Sequence, residues 1–158
     1  MNTSREGHVY PPAAPYQVSR EAVREFATAV KAGHSAHYDV AAAADLGYKD
    51  LVAPPSFAVV VAQRAEAAVI DDAEAGIDFS RVVHADERFT HHQSILAGET
   101  LQAQAILDRI RVMGAGAMVS TRVEITDEDG EARATVRSSI LVRAEEAGDE
   151  SAGKESGA

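Results

Sequence analysis

Cysteine and tryptophan are absent from these 158 residues, and four phenylalanines and four tyrosines are the only large aromatics. The missing thiols exclude disulfides, thiolate catalysis and cysteine-held zinc, and they are compatible with a reducing cytoplasm. No long apolar run exists: the stretch from Phe57 to Ala62 falls far short of the roughly 18 residues that span a bilayer. The opening MNTSREGHVYPP has no basic region followed by an apolar one, so it does not read as a secretory signal. Positive charge is scarce, with 15 Lys and Arg against 25 Asp and Glu and a net charge of −10. Phosphate backbones and anionic membranes need clustered cations, so neither nucleic acid nor a membrane surface is an expected partner. A soluble cytoplasmic protein is the expectation.

What is present suffices for one domain. At this length a single core buries about 70% of the chain's accessible surface and needs no metal or disulfide staple. Ser19 is a good N-cap, and Ala22, Val23, Phe26, Ala27 and Val30 recur at helical spacing to about Lys31, with Gly33 as the stop. Asp39 caps a second, alanine-rich helix to Leu46, stopped by Gly47. Pro54 and Pro55 then break the chain, and Pro55 or Ser56 opens a new element. Residues 57–70 are apolar except at Gln63, Arg64 and Glu66. Their valines suggest a strand, but the length and the single polar cluster favour a helix buried on most of its surface.

The second half switches to a period of two. Val83, Ala85, Glu87 and Phe89 alternate with His84, Asp86, Arg88 and Thr90. After a loop around Gly98, alternation returns from Leu101 to about Val112, from Val119 to Ile125 and from Val136 to Val142. Gly114 and Gly116 mark one turn, and Asp127-Glu128-Asp129-Gly130 a hairpin with glycine where positive φ is needed. These patterns predict an α+β domain over residues 8–143, a curved antiparallel sheet wrapped around the helix at 57–70, which is the hot-dog fold. Residues 1–7 read as a flexible lead. The stretch 144–158 reads as a disordered acidic tail: Glu145, Glu146, Asp149, Glu150 and Glu155 face only Lys154. The exposed sheet edge predicts a dimer.

Three segments carry a family likeness: REFATAVKAGHSAHYDVAAAADLGYKDLVAPPSF, ERFTHHQSILAGETL and the last strand pair. Together they resemble the MaoC-like R-specific hydratase and dehydratase domains. The likeness is nearest to the N-terminal, non-catalytic type of two-subunit (3R)-hydroxyacyl-ACP dehydratases. The first segment is fairly specific, whereas LAGETL is shared by many hot-dog proteins.

Catalytic members of that family carry G-D-x-N-P-x-H-x-D in the first segment. Between them the Asp and His remove the proton alpha to the thioester carbonyl and protonate the leaving hydroxyl. A backbone N–H binds the developing enolate oxygen. Laid on that pattern, this chain has Ala32 for the Asp, His34 for the Asn, Ser35 for the Pro and His37 for the His. Where catalytic members have His-Gly, at the head of the central helix, it has Pro54 and Pro55, and proline offers no N–H. The resemblance therefore implies His37 as the one retained catalytic position, with His34, Pro55, Ser56 and Phe57 along the substrate's path.

His34 and His37 stand three apart, but no carboxylate or third histidine lies at ligand spacing, so neither a metal nor a cofactor is expected. His91 and His92 read as a solvated strand-end pair, and Asp39 and Asp45 as a cap and a surface charge. Glu66, with Gln63 and Arg64, reads as facing a dimer partner or solvent. The resemblance implies a subunit of a (3R)-hydroxyacyl-thioester dehydratase of fatty-acid metabolism. Its heterodimer partner would be a MaoC-type chain with an intact Asp and His, and its substrate an acyl-ACP or acyl-CoA. Self-pairing as a homodimer stays open. Two other functions remain: a thioesterase using Glu66 or His37, and a non-enzymatic acyl-binding module.

Overall fold

A computed structural model describes residues 1–114 and 116–144. Apart from Ala144, the expected acidic tail lies outside the described residues. Helix α1 (Arg20–Ala29) starts where Ser19 Oγ accepts the Ala22 amide at 3.0 Å. It stops at Lys31, not at Gly33. The Lys31 amide donates to the Thr28 carbonyl and the Ala32 amide to the Ala27 carbonyl, at 3.2 and 2.8 Å. These are the two bonds of a Schellman stop, and they hold Lys31 at a φ of 58° against a left-handed cost of about 1 kcal/mol. Helix α2 (Val40–Asp45) is capped by Asp39 and closed by Gly47 at a φ of 89°.

A 3₁₀ turn (Pro55–Phe57) leads into helix α3 (Ala58–Ile70). Consecutive valines lower helix propensity, but burial outweighs it: Ala58, Val61, Ala62, Ala65 and Val69 are all buried. They pack on one antiparallel sheet ordered β1-β3-β4-β5-β2. Its strands are β1 (Tyr16–Gln17), β2 (Val82–His91), β3 (Thr100–Met113), β4 (Gly116–Thr126) and β5 (Ala132–Arg143). Alternation puts Leu101, Ala105, Val119, Val123, Val136 and Val142 on the inner face.

Strand β2 departs from its sequence pattern. A register shift between His84 and Asp86 sets His84 opposite Ile140 and Glu87 opposite Ser138, both inward-facing residues of β5. Val83 is therefore turned outward and 44% exposed, instead of sharing a face with Glu87 and Phe89. An extra residue reverses the parity of everything before it, and nothing in a run of alternating residues marks its place. No helix among the described residues is long and apolar enough to cross a membrane.

The first seven residues, which the sequence leads one to expect as flexible, are tied to distant elements. The Asn2 amide donates to the Ala75 carbonyl at 3.1 Å and the Gly7 amide to the Leu107 carbonyl at 2.8 Å. Arg5 Nε and Tyr10 Oη both donate to Asp72 Oδ2, at 3.0 and 2.8 Å. The Tyr10 hydrogen bond, aided by Arg5, holds the Asp72 carboxyl down at about 2. Burial, together with Asp72, pushes the Tyr10 hydroxyl up to about 12.

Two outcomes follow from these contacts. Asp72's folded pKa lies below its unfolded one, so its stabilisation is present above about pH 4 and is lost as pH falls towards about 2. Tyr10's is lost as pH rises from about 10 to about 12. Denaturation midpoints against pH should show Asp72→Asn flattening the acid limb and shrinking the alkaline one. Separately, a Cβ on Gly116 would sit 2.1 Å from the Val142 carbonyl oxygen, whereas one on Gly47 meets nothing within 4 Å. Urea titration should find Gly116→Ala costing about 3 kcal/mol and Gly47→Ala only about 1 kcal/mol.

Candidate active site

The chain between α1 and α2 turns through a 3₁₀ segment (Ser35–His37) capped by His34. With the head of α3 and the end of β2 it forms a cleft of about 350 Å³. His34, His37, Val52, Pro55, His91 and Ser94 are among the residues that line it. The turn is braced from α1, where Arg24 Nε donates to the Tyr38 carbonyl at 3.0 Å.

Hydrogen bonds fix the tautomers of the two histidines. His37 Nδ1 lies 2.6 Å from the Val52 carbonyl. A carbonyl only accepts, so Nδ1 carries the proton and, in the neutral ring, Nε2 holds the lone pair. His34 Nδ1 accepts the Ala36 amide at 3.1 Å, so its Nε2 carries the proton. The rings lie 6.1 Å apart at 71°. One of them is a proton acceptor at Nε2 and the other a hydrogen-bond donor at Nε2.

No Asp or Glu is among the lining residues. Ala32 has only its backbone to offer, and both groups are in use. Its amide closes α1, and its carbonyl accepts the Tyr38 hydroxyl at 2.8 Å. Pro54 and Pro55 border the cleft without an N–H, and the Phe57 amide is bonded to the Pro54 carbonyl at 2.9 Å.

Of the five residues expected at the site, His34, His37 and Pro55 come together. Ser56 and Phe57 do not line the cleft. Phe57 is 1% exposed and meets Phe26 edge-on at 5.4 Å, because a helical turn carries the chain well round its axis within two residues. His91, by contrast, enters the cleft, while His92 Nε2 pairs with Thr135 Oγ1 at 3.0 Å. The strand-end pair is thus divided between two environments. The period of two in β2 separates these neighbours, and that is the signal that could have found His91.

A second cavity, of about 260 Å³, lies beside the later turns of α3. Glu66 faces it instead of solvent, accepting the Thr121 hydroxyl at 2.7 Å. Gln63 and Arg64 are exposed, and Arg64 lies 4.6 Å over the Tyr16 ring. Nearby Glu87 is pushed up mainly by burial, against the pull of Ser138 and with a smaller push from the charge of Glu66. No group of three residues able to hold a metal occurs among the described residues.

Residues 4–136 match the family model described as FAS1-like, dehydratase domain region. A UPF0336 protein from Leifsonia xyli subsp. xyli is 43% identical over 92% of this chain and 98% of its own. A chain in the C-terminally truncated HadBC (3R-hydroxyacyl-ACP dehydratase) complex of Mycobacterium tuberculosis is 34% identical. Its TM-score is 0.76, and the match covers 89% of this chain and 99% of that one. A MaoC-like dehydratase is 33% identical with a TM-score of 0.81, covering 89% of this chain and 42% of the other, longer one. The chain belongs to the FAS1-like dehydratase-region family and has its hot-dog fold.

Nitrogen-15 NMR of the histidine rings should show the Nδ1–H form for neutral His37 and the Nε2–H form for neutral His34. The same form in both rings would contradict the hydrogen bonds described above.

Proposed function

We propose, with that family membership as the premise, that the chain is one subunit of a (3R)-hydroxyacyl-thioester dehydratase of fatty-acid metabolism. A MaoC-type partner with an intact Asp and His would supply the acid–base pair. One observation carries this reading: no Asp or Glu is among the described residues lining the cleft that holds His37, in keeping with the family likeness, which sets Ala32 against the acid's position. In the reaction a base takes the C2 proton, the C3–O bond breaks, and the hydroxyl leaves as water after gaining a proton. His37 Nε2 can accept a proton, but the described lining offers no carboxylic acid to protonate the leaving hydroxyl, and only an imidazolium could do so. Neutral His34 would have to become an imidazolate to do so.

This chain's contribution is then to hold and shelter. His34 Nε2–H can bond a substrate oxygen, and the apolar walls along α3 exclude water from an acyl chain. A dimer with a second hot-dog chain also covers the open edge of β2. A second reading has one observation behind it: Glu66 borders an apolar cavity, the placement a water-activating thioesterase carboxylate would need. Thiol release from acyl thioesters that vanishes in Glu66→Ala would carry that reading.

The deciding assay is hydration of a trans-2-enoyl thioester by this chain, by the catalytic subunit and by both together. The pair should exceed this chain alone by roughly 100-fold or more, the usual scale of general acid–base catalysis. Full activity from this chain alone would overturn the division of labour.

A further inference from the structure

Arginines collect on the outward face of the sheet, although the whole chain carries a net charge of −10. Arg88, Arg137 and Arg122 stand directly abreast on β2, β5 and β4. Arg109 and Arg111 continue the face on β3, opposite Ser120 and Met118. All five point away from α3, since their strand neighbours Phe89, Val136, Val123 and Ile110 pack into the core. The carboxylates of the same face are Asp86, Asp108 and Glu124. They form ion pairs with Arg88 and Arg122, and Glu124 also feels the charge of Arg137 at longer range, whereas Arg109 and Arg111 make no ion pair among the described residues. An apolar row of Val83, Leu141 and Met118 lies alongside, with Val83 44% exposed.

Folding stability does not account for this row. Like charges directly opposite one another weaken a sheet. Three strands at their usual spacing spread the arginines over roughly 10 Å, wider than one phosphate group. Arginine and methionine beside exposed aliphatic side chains are the composition of a protein interface. The position is also informative: three residues of extended chain, roughly 10 Å, separate Arg88 from His91 at the cleft.

We propose that this outward face docks the acidic surface of the protein that carries the acyl thioester, so that the thioester is delivered at the His91 end of β2. The proposal rests on the dehydratase reading and adds to it the face of this chain on which a protein carrier docks. Opposite charge on the carrier would complement the arginine excess of this face and speed encounter over a Debye length of about 8–10 Å.

The test compares wild type, Arg88→Ser/Arg137→Ser and Arg88→Glu/Arg137→Glu in the complex with the catalytic subunit. Each is assayed with one trans-2-enoyl group borne by an acidic acyl carrier protein and by coenzyme A. For the carrier-borne thioester, KM should rise roughly tenfold in the Glu variant at low salt and less in the Ser variant, converging with wild type at high salt. Values of kcat, and both constants for the coenzyme A thioester, should stay unchanged. Equal effects on the two thioesters, or none, would overturn the docking face.

Size-exclusion chromatography should show intact complexes, since dissociation of the variants would make the face a subunit contact and sink the proposal. Deleting residues 145–158 should leave KM alone. A fall in KM that disappears in the Arg variants would assign the face to the chain's own acidic segment instead. If the wild-type complex turns over neither thioester, the dehydratase reading fails. Fluorescence anisotropy of labelled acyl carrier protein with the full chain then decides the docking face: binding weakened in the Glu variant upholds it, and unchanged binding refutes it.

Discussion

Seating α3 on the inner face of β3, β4 and β5 sets the position of nearly everything else in the molecule. The contact is built from small residues on both sides: Ala58, Ala62 and Ala65 on the helix, Ala103 and Ala105 on the sheet, all buried. Small side chains let helix and strands approach closely, and the valines and Phe57 fill the remaining volume at roughly 1.5–3 kcal/mol for each large side chain buried. Once α3 is in place, its proline-bearing head stands beside His37, and Glu66 is brought against Thr121. Both cavities are consequences of that one packing arrangement.

The cleft keeps a defined frame with no carboxylate among its described lining residues. Tyr38, Arg24 and the Val52 carbonyl hold the turn and orient His37 without help from a carboxylate. An Asp at position 32 would add a reactive group but is not needed to maintain these bonds. The two prolines stiffen the entry to α3 and leave the 3₁₀ turn ahead of it without two amides.

Charge is distributed just as unevenly. Most of the acidic excess lies on loops, caps and the C-terminal residues, whereas the outward face of the sheet is arginine-rich. Net charge alone would rule out an anionic partner, yet a local face of opposite sign can recognise one within a Debye length. Arg88, Arg122 and Arg137 lie far apart in sequence and become neighbours only through strand pairing.

Local chemistry was legible from the sequence wherever the cause is local. Ser19 and Asp39 as caps, Gly47 as a stop, the long alternating strands and the Asp127–Gly130 turn all depend on residues within a few positions of one another. The identities of Ala32, Pro54 and Pro55, on which the family likeness bases its expectation of a lost acid and lost amides, are also read directly from the chain. The bulge in β2, the anchoring of residues 1–7 and the inward turn of Glu66 were not legible. Each depends on a partner dozens of residues away, and a period of two or 3.6 says which residues share a face but not which face the rest of the chain will cover. Composition and spacing thus determined the elements, whereas packing between distant segments decided which polar groups meet.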